Sequence, residues 1–82
     1  MKIYDYHGKK NVCGDRLREA RQKRKYTQEM MAAKLQIEGV LMERDSISRI
    51  EIGTRFVCDY ELMVMSKVLG VKVDWLLNMD TE

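Results

Sequence analysis

The chain has 82 residues, which is enough for one small domain around one core. It contains no proline, and its 45% hydrophobic and 34% charged residues are ordinary for a globular chain built mostly of helices. No apolar run approaches the roughly 18 residues of a membrane span. The opening MKIYDYHGKKNVCG has no apolar centre of the kind an export signal carries, so a cytoplasmic protein is expected. The net charge of +2 is unevenly placed. Residues 1–25 hold nine basic and three acidic side chains, while the remainder is net acidic. A basic end on an acidic domain favours a polyanionic partner. Cys13 and Cys58 are expected to be reduced thiols. His7 stands without a ligand cluster and no nucleophile has a matching base, so neither a metal, a cofactor nor an enzyme is expected.

Residues 1–11 show no period and read as an N-terminal arm, with extended character at Ile3, Tyr4 and Tyr6; residues 12–82 read as the folded domain. A first helix is predicted from about Val12 to Lys25. Cys13, Leu17 and Ala20 follow the i, i+4, i+7 spacing of an inward face, and Asn11 serves as its cap. A second helix begins at Thr27, whose hydroxyl can accept a first-turn amide, with Glu29 favourable at the positive end of the dipole. It ends near Gln36, with Met30, Met31 and Leu35 as its apolar positions. In the following IEGVLMER, residues Ile37, Val40, Leu41 and Met42 are too apolar for a free loop, and at least two should reach the core. The third helix, about Arg44 to Ile52, carries Ile47 and Ile50 on one side and is capped by Asp45 or Glu43. A fourth runs from about Asp59 to Leu69 on Leu62, Met65 and Leu69, with Gly70 in the left-handed position after it. A last short helix in VKVDWLLN packs through Trp75, Leu76 and Leu77. The methionines read as adaptable packing groups. The sum is a compact all-α domain of five helices.

The pair at 27–52 carries the functional expectation. Two helices joined by a short turn can set the second into a DNA major groove while the first crosses the backbone. Amides at the start of the first, with Thr27 and Gln28, would meet a phosphate. Arg44, Asp45, Ser48 and Arg49 would meet base edges: arginine bridges O6 and N7 of guanine, and aspartate accepts from N4 of cytosine. Thr54 and Arg55 would hold the next phosphates.

The segments RLREARQKRKYTQEMMAAKL, SISRIEIGTR and LMVMSKVLGVKVDWLLN, in this order over about residues 13–78, resemble the Xre-type helix-turn-helix family of lambda-like phage repressors and Cro proteins. The resemblance implies a five-helix lambda-repressor-like domain whose second and third helices form the DNA-reading pair. It implies a phosphate contact by Gln28 and base reading at or near Arg44, Asp45, Ser48 and Arg49. It also implies an ion pair between Arg21 and Glu51 behind the reading helix. Two departures stand out. The turn Ile37–Glu43 is longer than the three or four residues usual there, and Lys25 stands where the family often has glycine.

The function expected is that of a sequence-specific transcriptional regulator, repressor-like, of phage or bacterial type. Its partner would be a double-stranded DNA operator, bound as a homodimer whose contact is weak without DNA. One short helix reads too few bases to be specific alone. The alternative is a protein-interaction module or antitoxin-like adaptor that keeps the fold, a reading supported by the modest net charge and the apolar insert at 37–42.

Overall fold

In the computed structural model, which describes residues 5–80, each of the five helices has an identifiable local cause. They are α1 (Gly14–Lys23), α2 (Gln28–Ile37), α3 (Arg44–Ile52), α4 (Asp59–Leu69) and α5 (Val73–Leu76). Among the described residues there is no strand, only an isolated bridge between Tyr6 and Lys9. Thr27 caps α2 as expected, its hydroxyl accepting the Met30 amide at 3.0 Å. Glu43, not Asp45, occupies the cap position of α3, and its side chain makes no capping bond. At α4 the Glu61 carboxylate reaches back to the amide of Cys58, tying down the helix start. Gly70 ends α4 in the left-handed conformation.

The first helix is shorter than its apolar spacing suggested. Val12 and Cys13 lie before it, and Asn11 accepts the Gly14 amide at 2.8 Å from outside the helix. Lys25 takes the left-handed conformation, with φ of 60°. A lysine there costs about 1 kcal/mol or more relative to glycine. The corner is held by two turn bonds, Lys25 N–H to Gln22 O and Tyr26 N–H to Arg21 O.

The core draws on every helix. Leu17 and Ala20 of α1, Met31, Ala32 and Leu35 of α2, Ile47 and Ile50 of α3, Met65 and Leu69 of α4 and Leu76 of α5 are buried together. Val40 and Met42 from the turn join them, whereas Ile37 and Leu41 are 82% and 88% exposed. Ile37 is the last residue of α2, not the first of the turn as its sequence suggested, so the turn covers residues 38–43; along it Val40 and Met42 point inward and Leu41 between them lies in solvent. Met30, expected to help pack α2, is largely outside, as are Met63 and Met79. Trp75 is only half-buried. Its ring lies under the Arg16 guanidinium, 4.7 Å away, and Arg16 also donates to Trp75 O and Asp80, joining α1 to α5.

Residues Tyr6–Lys9 close a tight turn by reciprocal backbone bonds, and Lys10 N–H donates to Gly53 O at 2.7 Å. The described part of the arm thus rests against the end of α3. Ile3 and Tyr4 lie outside the described residues. Both cysteines are free thiols, Cys13 buried and Cys58 exposed. No helix among the described residues is long and apolar enough to cross a membrane.

Candidate nucleic-acid interface

Helix α3 divides into two faces. Ile47 and Ile50 have no exposed surface, and Glu51 is buried beside them. Arg44, Asp45 and Arg49 are exposed, and Ser48 is half-buried. The four side chains expected to read bases therefore share the side of α3 that the core does not use. Arg44 and Asp45 stand 3.5 Å apart, both more than half exposed. A pair so open to solvent contributes little and opens easily.

The helix is held from behind by a buried ionic cluster. Arg21 Nε donates to Glu51 Oε2 at 2.6 Å, and Arg21 Nη2 to Glu51 Oε1 at 3.1 Å. The third guanidinium nitrogen donates to Tyr26 O at 2.8 Å. Gln28 Nε2 adds a bond to Glu51 Oε1 at 3.1 Å. A carboxylate with this many charge-assisted donors is well compensated for its burial. The cluster joins α1, α2 and α3 through one acid on the third helix, beside the apolar packing of α2 against α3. It also limits Gln28. One of that amide's two hydrogens goes to Glu51, which leaves the other for an outside acceptor.

Thr27 is exposed at the start of α2, beside first-turn amides that have no partner within the helix. Past α3, Thr54 stays near the helix end, its amide and hydroxyl both donating to Arg49 O, at 2.9 and 3.4 Å. Arg55 is engaged differently from the sequence expectation. Its guanidinium forms a two-pronged pair with Glu61, at 3.0 and 3.1 Å, and donates to Phe56 O. A hydrogen bond from Arg55 holds the Glu61 carboxyl below its usual range, against the opposing effect of burial. Arg55 is about 70% buried by these contacts, so a phosphate would have to share it with Glu61.

Three sets of contacts had no signal in the sequence. Glu61 and Arg55 are six apart across a loop, a spacing that marks no helical pair. Arg24, part of a run that reads as a solvated basic face, donates its Nε to Leu69 O and closes the end of α4. Asn11 was legible as a cap, but not its bonds to Ile50 O at 3.1 Å and Arg55 O at 2.8 Å.

Two successive helices joined through a shared core and a buried acid, the second with its polar face outward, have the arrangement of a helix-turn-helix domain. The family model described as Helix-turn-helix matches residues 17–76, and the chain belongs to that family, in its Xre-type, lambda-repressor-like form. No curated protein sequence matches the chain. Among solved structures it is similar to the P22 c2 repressor protein, determined in complex with synthetic operator 9T in the presence of Tl+. The likeness has a TM-score of 0.71 at 28% identity and covers 85% of this chain and 98% of that one.

Proposed function

We propose that the chain is a sequence-specific, repressor-like transcriptional regulator that reads the DNA major groove with α3, acting as a homodimer on a two-fold symmetric operator. The observation that carries this reading is the split of α3, with Ile47 and Ile50 wholly buried and Arg44, Asp45 and Arg49 outside. The operator complex of the similar P22 c2 repressor supports it. In this reading Thr27 and the first amides of α2 take one phosphate, and the free hydrogen of Gln28 strengthens that contact. Arg44 and Arg49 bridge guanine O6 and N7, Asp45 accepts from cytosine N4, and Ser48 adapts to either. Thr54 takes a phosphate beyond the helix, with Arg55 contributing when its bond to Glu61 is shared.

Selection of bound duplexes from a random pool tests the proposal, and a two-fold symmetric consensus is expected. On the selected duplex, Arg49→Ala should relax base preference, whereas Gln28→Ala should weaken all sequences alike. Unchanged preference in the Arg49→Ala protein would remove α3 as the reading element. A second reading, a protein-interaction module, is favoured by the exposed Ile37 and Leu41. A salt titration separates the two. Contacts to several phosphates weaken steeply as salt rises, while an apolar protein contact does not.

A further inference from the structure

The side chain of Asn11 bonds the backbone of three separate segments, through both of its amide hydrogens and its oxygen, which also lies 4.0 Å from the Cys13 thiol. Its two amide hydrogens go to Ile50 O in the last turn of α3, at 3.1 Å, and to Arg55 O beyond the helix, at 2.8 Å. Its oxygen accepts the Gly14 amide at the start of α1, at 2.8 Å. One half-buried residue thereby spans the exit of α3, from position 50 to position 55.

Neighbouring contacts reinforce this bridge. Gly14 lies so near α3 that a β-carbon there would collide with Ile50 O. Glycine is therefore what lets α1 approach closely enough for Asn11 to reach. Gly53 turns the chain out of α3 with φ of 89°, under the side chain of Lys9 and with its carbonyl bonded to Lys10 N–H. On the far side, Glu61 grips the Arg55 guanidinium. The loop after α3 is held by its backbone through Asn11 and by its side chain through Glu61.

From this we infer that Asn11 is a positioning residue for DNA binding: it fixes the offset between the base-facing side of α3 and the Thr54–Arg55 loop. The inference rests on the DNA-reading function proposed above. It assigns to a residue far from the helix pair in sequence the task of keeping two contact sets in register. A displacement of about 1 Å at that loop is enough to lose a directed phosphate contact, because hydrogen bonds weaken steeply with distance and angle.

Asn11→Asp is the discriminating variant. It keeps the acceptor for Gly14 N–H but replaces both donors with an oxygen facing two carbonyl oxygens. Asn11→Ala removes the donors without that repulsion. Each protein is examined for helix content, for amide exchange in the free state, and for operator and random-duplex affinity across a salt series. In the folded Asn11→Asp protein, exchange at Gly53 and Thr54 should quicken. Operator affinity should fall about tenfold and random-duplex affinity less, because only on the operator is α3 held in base register against the loop, and on the operator the salt slope should shrink by about 0.9, the value of one phosphate. Asn11→Ala should show the same pattern more weakly.

Wild-type exchange and slope in a folded Asn11→Asp protein would overturn the inference. So would equal weakening on operator and random duplex in proportion to the unfolded fraction, since that marks a purely structural residue. A wild-type protein that binds no duplex would end the DNA reading and the positioning role together. A wild-type protein that binds normally beside an unaffected variant would end only the latter.

Discussion

Glu51 receives hydrogen bonds from two helices while sitting on a third, so its loss is felt in three places. Glu51→Gln leaves the Arg21 guanidinium buried without its counter-charge and should cost about 3–5 kcal/mol of stability, read from denaturant unfolding. Joint replacement by Arg21→Met and Glu51→Leu should recover much of that loss, because an apolar pair of similar volume carries no desolvation penalty. The contact between Arg55 and Glu61 belongs to the same scale but responds to pH. The folded-state Glu61 carboxyl is depressed, first by its bond from Arg55. Its contribution is therefore present above the unfolded-state value near 4.3 and is lost as pH falls through the lower folded value. Unfolding measured from pH 7 downward should show an acid limb that Glu61→Gln flattens. A limb identical in both proteins would mean that other carboxylates dominate it. Burial pushes the Cys13 thiol up to about 11, so near pH 8 a thiol reagent should modify Cys58 in the folded protein and reach Cys13 only on unfolding.

The turn between α2 and α3, residues 38–43, is longer than the three or four residues of a short helix-turn-helix connection. Its backbone is tied down by Val40 N–H to Leu35 O at 2.9 Å and by Gln36 Nε2 to Met42 O at 3.1 Å. Val40 and Met42 then act as two apolar pegs on either side of an outward Leu41. Met42→Ala should cost about 2–5 kcal/mol, the range for deleting a buried methionine side chain. Leu41→Ser should change stability by less than about 0.5 kcal/mol, as an exposed substitution does. Thermal unfolding of the two variants checks the contrast. Equal destabilisation would mean that the turn does not alternate as described. Because the pegs sit directly before Arg44, Met42→Ala should also loosen the start of the reading helix, while Leu41→Ser should not.

At the scale of the molecule, all five helices and the turn share one core, and its ends are fastened by polar clamps. Arg16 joins α1 to α5 through Trp75 and Asp80, Lys67 of α4 pairs with Glu38 after α2 at 2.7 Å, and Arg24 closes α4. A domain of this size with one core should unfold in a single cooperative step. Fluorescence of Trp75, the sole tryptophan, should therefore follow the same transition as helix circular dichroism. A tryptophan signal that changes first would show α5 detaching alone, and Arg16→Ala would then advance that early phase.

Periodicity and cap chemistry were enough to place most elements. The apolar spacings in α1, α3 and α4, the threonine at 27 and the glycines at 53 and 70 are local signals, and a helix responds chiefly to its own residues and their near neighbours. The family pattern over residues 13–78 likewise carried the ion pair of Arg21 with Glu51 and the outward face of Arg44, Asp45 and Arg49. Sequence alone misjudged matters of distance, namely the late start of α1, the exposure of Met30 and the half-burial of Trp75, and it gave no sign of the pairing of Arg55 with Glu61. An amphipathic pattern states which face prefers burial but not how much neighbouring surface is available to cover it. A charged side chain likewise does not announce which of several partners the fold brings nearest. Asn11 gathers both lessons: its role as a cap could be read from the next few residues. Its hold on positions 50 and 55 exists only because α1 and α3 pack closely enough, across a glycine, for one amide to touch both.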